Sequence, residues 1–294
     1  MRHLKQNIFH FFCTLAVIVL LGVLLIFLGF LLKNGVETLN VELFFGDTPA
    51  WDAITGRLPV WEGIWPAMVG TLCLIALTIL LALLPGIGCG IFLAEYAPCR
   101  LKNWGNSIID TLAGTPSIIM GLFGFTLILF LRNTFWPEAN TSLILAASCL
   151  ALLVLPVIIV NTREALESVP AETRISAATL GMSKIQCIRY LLLPTVSRGI
   201  LSGVILAIGR SAEDTAVIML TGAVANSGLP DGLGSKFEAL PFSIYVTAAE
   251  YQDELELAQG FGSALVLLCF SSIILFCATM IEKRFKQRWQ RGNI

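Results

Sequence analysis

Charged side chains are scarce in this sequence. Asp, Glu, Lys and Arg make up only 13% of the 294 residues, whereas 56% of the residues are hydrophobic. A soluble domain normally carries about 25% charged residues. The balance excludes a water-soluble globule and argues against a nucleic-acid-binding protein. The net charge is −1, a mean that hides the uneven distribution of charge described below.

Motifs for chemistry are also missing. The sequence contains no G-x-x-x-x-G-K-[ST] run to hold nucleotide phosphates and no paired nucleophile and base. Its two histidines, His3 and His10, lie near the N-terminus, and no His/Cys/Asp cluster has metal-ligand spacing. None of the eight cysteines lies in a predicted external loop, so we expect no disulfides. The chain is predicted to be neither an enzyme nor a metal or cofactor binder.

Long runs without charge dominate what is present. About 20 apolar residues cross a bilayer as a helix. Five uncharged windows exceed that length, namely 6–32, 63–94, 111–131, 139–162 and 257–281. One further span, at about 196–222 and fifth in chain order, is interrupted by charges. Barrel strands would alternate over about 10 residues, so the sequence predicts an all-α polytopic membrane protein with six transmembrane helices.

The lysines and arginines are unevenly distributed between the loops. Fourteen of the nineteen lie in the N-terminus, 95–110, 163–198 and the C-terminal tail, and only four lie in the opposite set of loops. Such an excess marks the cytoplasmic side, so both termini are predicted to be cytoplasmic. The predicted parts are an anchor helix (1–33), an external loop (34–65), a five-helix core (66–284) and a basic cytoplasmic tail (285–294). The core includes a cytoplasmic loop (163–194) and a second external loop (224–256).

Small residues recur at helical spacing within the spans. Gly86 and Gly90 form one small-xxx-small pair, and Gly199 and Gly203 form another. Such pairs allow two helix backbones to approach closely. We expect a helix contact at each pair. Thr115-Pro116 is expected to kink the third span.

The charged residues inside the fifth span (196–222) indicate a functional site. Arg210, Glu213 and Asp214 follow eleven uncharged residues, and on a continuous helix they would share one face. Ionisable groups within a span usually mark a route for an ion or substrate. Arg210 would bind an oxyanion, and one of the two acids would hold it when the route is empty. The further hydroxyls expected to line this route are those of Ser211, Thr215, Thr115 and Ser117. A structural ion pair that locks two helices remains the alternative.

The cytoplasmic loop 163–194 is predicted to form a rigid helix, turn and helix. Pro170 suits the first turn of a helix over 171–180, and Gly181 would end that helix. Ser183 would cap a second helix over 184–193, and Pro194 would then open the fifth span. A solvated connector is the alternative. The apolar residues among the charges favour a docking face; they are Ile175, Leu180, Ile185 and Ile188.

This loop resembles the cytoplasmic coupling loop of ABC importer permeases. In that family the pattern is E-A-A, three residues, Gly, nine residues and I-x-L-P. Counted from Gly181, the E-A-A positions are Ile175, Ser176 and Ala177, and the I-x-L-P positions include Leu191, Leu193 and Pro194. The preceding segment from Glu167 to Pro170 also resembles the family loop. The sequence departs from the family at Ile175, where a Glu is usual.

Other segments resemble the PstA-type permeases of phosphate importers. They include 90–96, 112–118, 121–124, 203–207 and 239–246. The R-x-x-G-E-T-A motif of the fifth span corresponds to 210–216, with Glu213 in place of Gly and Asp214 in place of Glu. The resemblance implies a type I importer permease in a bacterial or archaeal inner membrane.

The same resemblance implies the partners. They would be a second homologous permease or a second copy of this chain, two cytoplasmic ATPase subunits, an extracytoplasmic phosphate-binding protein and membrane lipid, but no nucleic acid. ATP and Mg would bind to the ATPase, and the 163–194 loop would couple it to the spans. Two other functions remain open: a permease for molybdate, tungstate or sulfate, and a membrane sensor or scaffold that does not transport.

Overall fold

A computed structural model describes residues 2–61, 63–135 and 137–291, with side-chain surroundings given for residue 6 and for residues 9–284 apart from 62 and 136. Its α-helices, in chain order, are α1 (Arg2–Gly35), α2 (Val41–Phe45), α3 (Ala50–Ile54), α4 (Trp65–Ile91), α5 (Cys99–Ala113), α6 (Ser117–Thr134), α7 (Leu143–Glu167), α8 (Ala171–Thr179), α9 (Lys184–Gln186), α10 (Leu193–Glu213), α11 (Ala216–Thr221), α12 (Leu240–Glu250) and α13 (Glu254–Arg291). A 3-10 turn covers Val36–Thr38, and π-helical turns cover Phe92–Tyr96 and Cys187–Leu192. Across the described residues, β pairing is confined to an isolated bridge between Ala223 and Phe237.

Six helical stretches of the described chain are long and apolar enough to cross a membrane. They are Phe9–Thr38, Trp65–Tyr96, Ser117–Thr134, Leu143–Glu167, Lys184–Glu213 and Glu254–Arg284. The predicted all-α, six-span fold is confirmed. A span needs no charged residue to form its backbone hydrogen bonds, so charge-free length alone located most of these helices.

The third span begins later than predicted. The window 111–131 joined the end of α5 to the start of α6. In the structure α5 ends at Ala113, and α6 begins at Ser117 after Pro116, whose ψ of 139° is extended. Because the proline ring disfavours a helical conformation in the residue before it, Thr115-Pro116 separates two helices. The expected kink within one span was wrong.

Helix α7 makes the central contacts of the bundle and is the most buried of the six spans. A Cβ added at Gly90 of α4 would lie 2.6 Å from Thr162 Cβ, and one at Gly86 would lie 2.7 Å from Ile158 Cγ2. On α10, a Cβ at Gly203 would lie 2.5 Å from Asn161 Cβ. Gly199 approaches Ala165 just as closely, at 2.6 Å. Both predicted small-residue pairs therefore pack against α7.

The anchor helix α1 lies at the edge of the bundle and is the least buried of the six spans. It packs on α13, where the Phe30 and Phe261 rings meet edge to face with centroids 5.5 Å apart. Gly35 allows the two backbones to approach, because a Cβ there would lie 2.8 Å from the carbonyl oxygen of Phe261. Between Phe9 and Leu32, most apolar side chains of α1 are exposed, as on a helix that faces lipid.

The predicted external loops contain helices. The segment 34–65 includes α2 and α3, and the segment 224–256 includes α12. Residues 222–239 fold over the start of α7: Leu143 N donates to Ser235 O at 3.0 Å, and Ile144 N donates to Leu233 O at 2.9 Å. These bonds satisfy amides that a helix N-terminus leaves without partners. At the other end of the chain, α13 continues to Arg291 through most of the predicted tail.

Candidate functional site

The fifth span breaks beside its charged residues. Helix α10 ends at Glu213, and Asp214 has an extended ψ of 118°. The Asp214 carboxylate then accepts a hydrogen bond from Val217 N at 2.9 Å, within the first turn of α11. Asp is a favoured residue at such helix starts because its oxygen satisfies a free backbone amide. The expectation that all three charged residues share a face of one continuous helix was therefore wrong for Asp214.

Arg210 lies in the last turn of α10 and is partly exposed. No described residue forms an ion pair with it, although Glu213 is one helical turn away. Glu213 is exposed, and Asp214 is engaged with α11. The expected hold of an acid on Arg210 is thus not present in this structure. The last carbonyls of α10, which carry the negative end of the helix dipole, favour a cation at this position.

The hydroxyls predicted to line the route differ in accessibility. Ser211 is fully buried, and its Oγ donates to Ala207 O at 2.8 Å, which places it in the helix contact and away from any open path. Thr215 and Ser117 are partly exposed. Thr115 is also partly exposed, and its Oγ1 donates to Thr111 O at 3.1 Å. The open polar groups at the break are therefore Arg210, Glu213 and Thr215.

Helix α11 brings the break next to α6. A Cβ added at Gly121 would lie 2.9 Å from Ala216 O, and one at Gly124 would lie 2.5 Å from Thr221 Cγ2. Only glycine permits this approach. The residue after Thr215 is therefore in contact with α6 one helical turn beyond Ser117. Ser117 and Thr215 therefore belong to the same region of the bundle.

The loop 163–194 has the predicted helix and turn. Helix α8 begins after Pro170, and Gly181 adopts a φ of +78°, a conformation that favours glycine. Ser183 and Gln186 form a capping box at the start of α9. Pro170, Gly181 and Ser183 act on the backbone as the sequence indicated, and Gln186 adds the reciprocal bond of the capping box.

Pro194 does not open the fifth span. A continuous helical stretch runs from Lys184 to Glu213, and Pro194 lies inside it. The π-helical turn Cys187–Leu192 directly precedes it, and Leu193 N bonds to Ile188 O, five residues back. A proline has no amide to donate and its ring crowds the preceding turn, so a wider turn accommodates it. The predicted second helix is therefore the start of the fifth span.

The outer face of this helix pair is apolar and open. Leu180 is 81% exposed, Ile185 69% and Ile175 62%. Behind them Ala177 is buried in an apolar cluster with Leu166, Ile188 and other residues of the second, fourth and fifth spans. Leu193 lies at the margin of that cluster. The pair thus has one side fixed to the bundle and another side without a described partner.

A groove of about 390 Å³ runs along the same element. It is lined by Glu172, Thr173, Ser176, Ala177, Leu180, Met182 and Leu191. Beside it, Glu167 at the end of α7 forms an ion pair with Lys102 of α5 at 2.5 Å. Lys102 shares the inward side of α5 with the buried Ile109, whereas Trp104 is 72% exposed and Ile108 63%. The amphipathic α5 therefore supports the loop from one side.

An ionic cluster that the sequence did not reveal lies behind α8. The Arg174 guanidinium donates to Glu95 Oε1 from Nη2 at 2.7 Å and from Nε at 3.1 Å. It also donates to the carbonyl oxygens of Val169 and Leu166, both at 2.8 Å. Lys184 Nζ donates to the Glu95 carbonyl and lies 4.4 Å from the centre of the Tyr96 ring. Glu95 and Tyr96 fall in a segment of family resemblance, which was the only sequence signal.

Glu238 is a buried carboxyl group in the segment 222–239, between the fifth and sixth spans. It is 8% exposed, and its Oε1 accepts a hydrogen bond from Gly228 N at 2.7 Å. Burial raises the pKa of this carboxyl, and backbone hydrogen bonds from Gly228 and Ser227 partly oppose the rise. The neighbouring backbone is equally confined, because a Cβ at Gly70 would lie 2.0 Å from Glu238 O.

A raised pKa at Glu238 predicts a pH dependence of stability. Between the ordinary carboxyl pKa and the raised value, the folded chain holds more protons than the unfolded chain, so stability falls as pH rises through that window. Glu238→Gln removes this contribution. We expect the unfolding midpoint of the wild type in detergent to fall relative to that of Glu238→Gln as pH rises from about 4 to about 7. Parallel pH curves for the two proteins would contradict the prediction.

Several curated proteins are similar to this chain over much of its length. The phosphate transport system permease protein PstA of Haemophilus influenzae is 31% identical over 259 residues, which is 87% of this chain and 85% of that protein. PstA 1 of Mycobacterium tuberculosis is 31% identical over 75% of this chain and 70% of that protein. PstC 1 of Mycobacterium bovis is 30% identical over 69% of this chain. The matched region spans 63% of the length of PstC 1, less than two thirds.

A solved structure has a similar fold. An inward-facing form of the MetNI methionine ABC transporter superposes with a TM-score of 0.57 over 76% of this chain and 97% of that chain, at 17% identity. This supports the fold of a type I importer permease. The family described as "binding-protein-dependent transport system inner membrane component" matches residues 86–291, which include the break in the fifth span and the helix pair. The chain therefore belongs to this family of multi-pass inner membrane transport components.

Proposed function

We propose that this chain is a permease subunit of an ATP-driven, binding-protein-dependent phosphate importer. The observation that carries the proposal is the arginine at the broken span. Arg210 is partly exposed, has no ion-pair partner among the described residues, and lies in a membrane span of a chain similar to phosphate permeases. A guanidinium in that state has donors available for two oxygens of a tetrahedral anion.

The residues of the route follow from the break. Arg210 binds the anion, and Glu213 and Thr215 provide an acceptor and a hydroxyl beside it. Asp214 holds α11 in place through Val217 N, so its role at the route is to position the break. Thr115 and Ser117 line the neighbouring start of α6. Ser211 supports the packing of α10 from its buried position.

The helix pair is the coupling element of the proposal. Two ATPase subunits bind in the cytoplasm, one of them at the apolar face of Ile175, Leu180 and Ile185, and they carry ATP and Mg. Both termini then lie in the cytoplasm. The second permease subunit completes the route, and a phosphate-binding protein docks on the outer segments 34–65 and 224–256. This chain performs no chemistry itself. It shifts between inward-open and outward-open populations.

Glu213 bears on which oxyanion the route takes. Where the PstA-type motif has a glycine, this chain places an exposed carboxylate near Arg210. A protonated phosphate can donate a hydrogen bond to a carboxylate, whereas sulfate and molybdate carry no proton near neutral pH. The carboxylate therefore favours phosphate on charge grounds, and a preference for sulfate or molybdate would require a compensating cation from the partner permease.

The experiment that tests the function is reconstituted uptake. The chain is co-expressed with a candidate second permease and a candidate ATPase from the same genome, purified, and placed in vesicles with a candidate phosphate-binding protein. We expect ATP-dependent uptake of labelled phosphate that requires the binding protein, with little competition from sulfate or molybdate. Uptake of one of those anions in place of phosphate would identify the second candidate. A chain that binds no ATPase and moves no anion would contradict a transport function.

A further inference from the structure

One residue, Glu95, connects the second span to helix α8 through its carboxylate and to the start of the fifth span through its backbone carbonyl. Glu95 ends the second span, and its side chain is only 8% exposed. Arg174 reaches it from α8, and the same guanidinium binds the Leu166 and Val169 carbonyls at the end of the fourth span. Lys184, the first residue of the fifth-span helix, binds the Glu95 carbonyl. We call Glu95, Arg174 and Lys184 the clamp.

Side chains make this connection. Within the described part of the chain, no backbone-to-backbone hydrogen bond joins residues 92–97 to residues 171–186. The apolar cluster around Ala177 fills the space behind the clamp, but apolar contacts are not directional and allow sliding. The hydrogen-bonded guanidinium, in contrast, has a fixed geometry for its acceptors. The clamp is therefore the directional link between α8 and the second span.

The backbone beside the clamp is unusual on both sides. Phe92–Tyr96, which contains Glu95, is a π-helical turn closed by Ala97 N on Phe92 O at 2.9 Å. Cys187–Leu192, which begins three residues after Lys184, is another. π-helical turns are rare and widen the helix locally, so they are places where a helix can change its winding. The two spans tied by the clamp thus each have an adjustable turn at the tie.

We propose that the clamp transmits movement of α8 to the second and fifth spans. Glu95, Arg174 and Lys184 are positioning residues for coupling: the ATPase displaces α8, and the clamp forces the ends of the spans to follow. This inference rests on the proposed importer function. It predicts that weakening the clamp separates ATP hydrolysis from transport and leaves both the ATPase and the assembly in place.

The test measures phosphate moved per ATP hydrolysed in the reconstituted complex. Glu95→Gln keeps the shape of the side chain and removes its charge. We expect the ratio to fall about tenfold, with stimulation of hydrolysis by loaded binding protein reduced to a similar degree. Lys184→Met removes only the second tie and should lower the ratio about two- to threefold. Arg174→Lys, which keeps the charge but not the fork, should lie between wild type and Glu95→Gln.

The matched control is another ion pair on the cytoplasmic side. Arg198 pairs with Glu282 at 3.5 Å and is 76% exposed, so Arg198→Gln should leave the ratio unchanged. Wild-type ratios in both Glu95→Gln and Lys184→Met would overturn the inference. So would a parallel loss of assembly, hydrolysis and uptake, since that pattern indicates a purely structural tie. If the wild-type complex moved no phosphate, the proposed substrate would fail, and the clamp would be judged by binding-protein stimulation of hydrolysis alone.

Discussion

Replacing Arg210 by Lys is expected to reduce phosphate uptake by roughly tenfold to a hundredfold. The charge is retained, so the loss measures the second hydrogen bond of the guanidinium fork, since a bond to a charged group contributes about 1.5–3 kcal/mol. Lysine also has the flexibility to reach the Glu213 carboxylate and pair with it. Arg210→Gln, which removes the charge as well, should reduce uptake further. The measurement is binding-protein-dependent uptake in vesicles at matched amounts of assembled complex.

The control for Arg210 is Arg198→Lys, a change of the same kind at an exposed position of the same helix. Its uptake should equal that of the wild type. Uptake at the wild-type rate in Arg210→Lys would show that the bidentate geometry is not used, and the same rate in Arg210→Gln would remove the arginine from the route altogether. Assembly of each variant with the ATPase, measured by co-purification, separates a transport defect from a folding defect.

The sequence located the spans because a bilayer imposes a length and an absence of charge that can be counted. It placed the small-residue pairs on real contacts because only a missing side chain lets α4 and α10 approach α7 so closely. It failed at the third span because Thr115-Pro116 breaks an apolar run without adding charge. Hydropathy does not register such a break, whereas backbone geometry does.

The charged site was predicted only in part. Helical spacing placed Arg210, Glu213 and Asp214 on one face, but that argument assumes that the helix continues. The Asp214 side chain instead binds the amide of Val217, and the helix ends one residue before it. Side chains of Asp often compete with the helix in this way. Arg210 consequently forms no ion pair with Glu213 or Asp214 in this structure.

The clamp was missed for a different reason. Arg174 and Glu95 are 79 residues apart in the chain, so no local pattern relates them. Each belongs to a segment with its own interpretation, the first to a helix pair and the second to the end of a span. A pairing of this kind depends on how the second, fourth and fifth spans pack together, which a single sequence does not specify. Its role in coupling remains a prediction.

Replacing Leu180 by Asp is expected to abolish co-purification of the ATPase and, with it, ATP-driven uptake. Leu180 is 81% exposed next to the turn at Gly181, so the change should leave the fold of the chain intact. In the complex it would bury an unpaired carboxylate among apolar groups, which costs on the order of 3 kcal/mol or more and weakens binding by about a hundredfold or more. Leu180→Ala, which only removes contact area, should weaken binding less.

The matched control is Leu233→Asp, which introduces the same charge at a 57% exposed leucine in the segment 222–239. This variant should retain the full amount of ATPase. Leu233 lies at the start of α7, whereas the apolar face of Ile175, Leu180 and Ile185 follows the end of α7. Normal recovery of the ATPase with Leu180→Asp would mean that the ATPase does not bind to the apolar face of Ile175, Leu180 and Ile185. Loss of the ATPase in both variants would indicate a general effect of added charge.

Since Ile175 replaces a glutamate of the family pattern, an apolar contact at this face also predicts that about 0.5 M salt, which screens exposed charges, leaves the wild-type complex assembled.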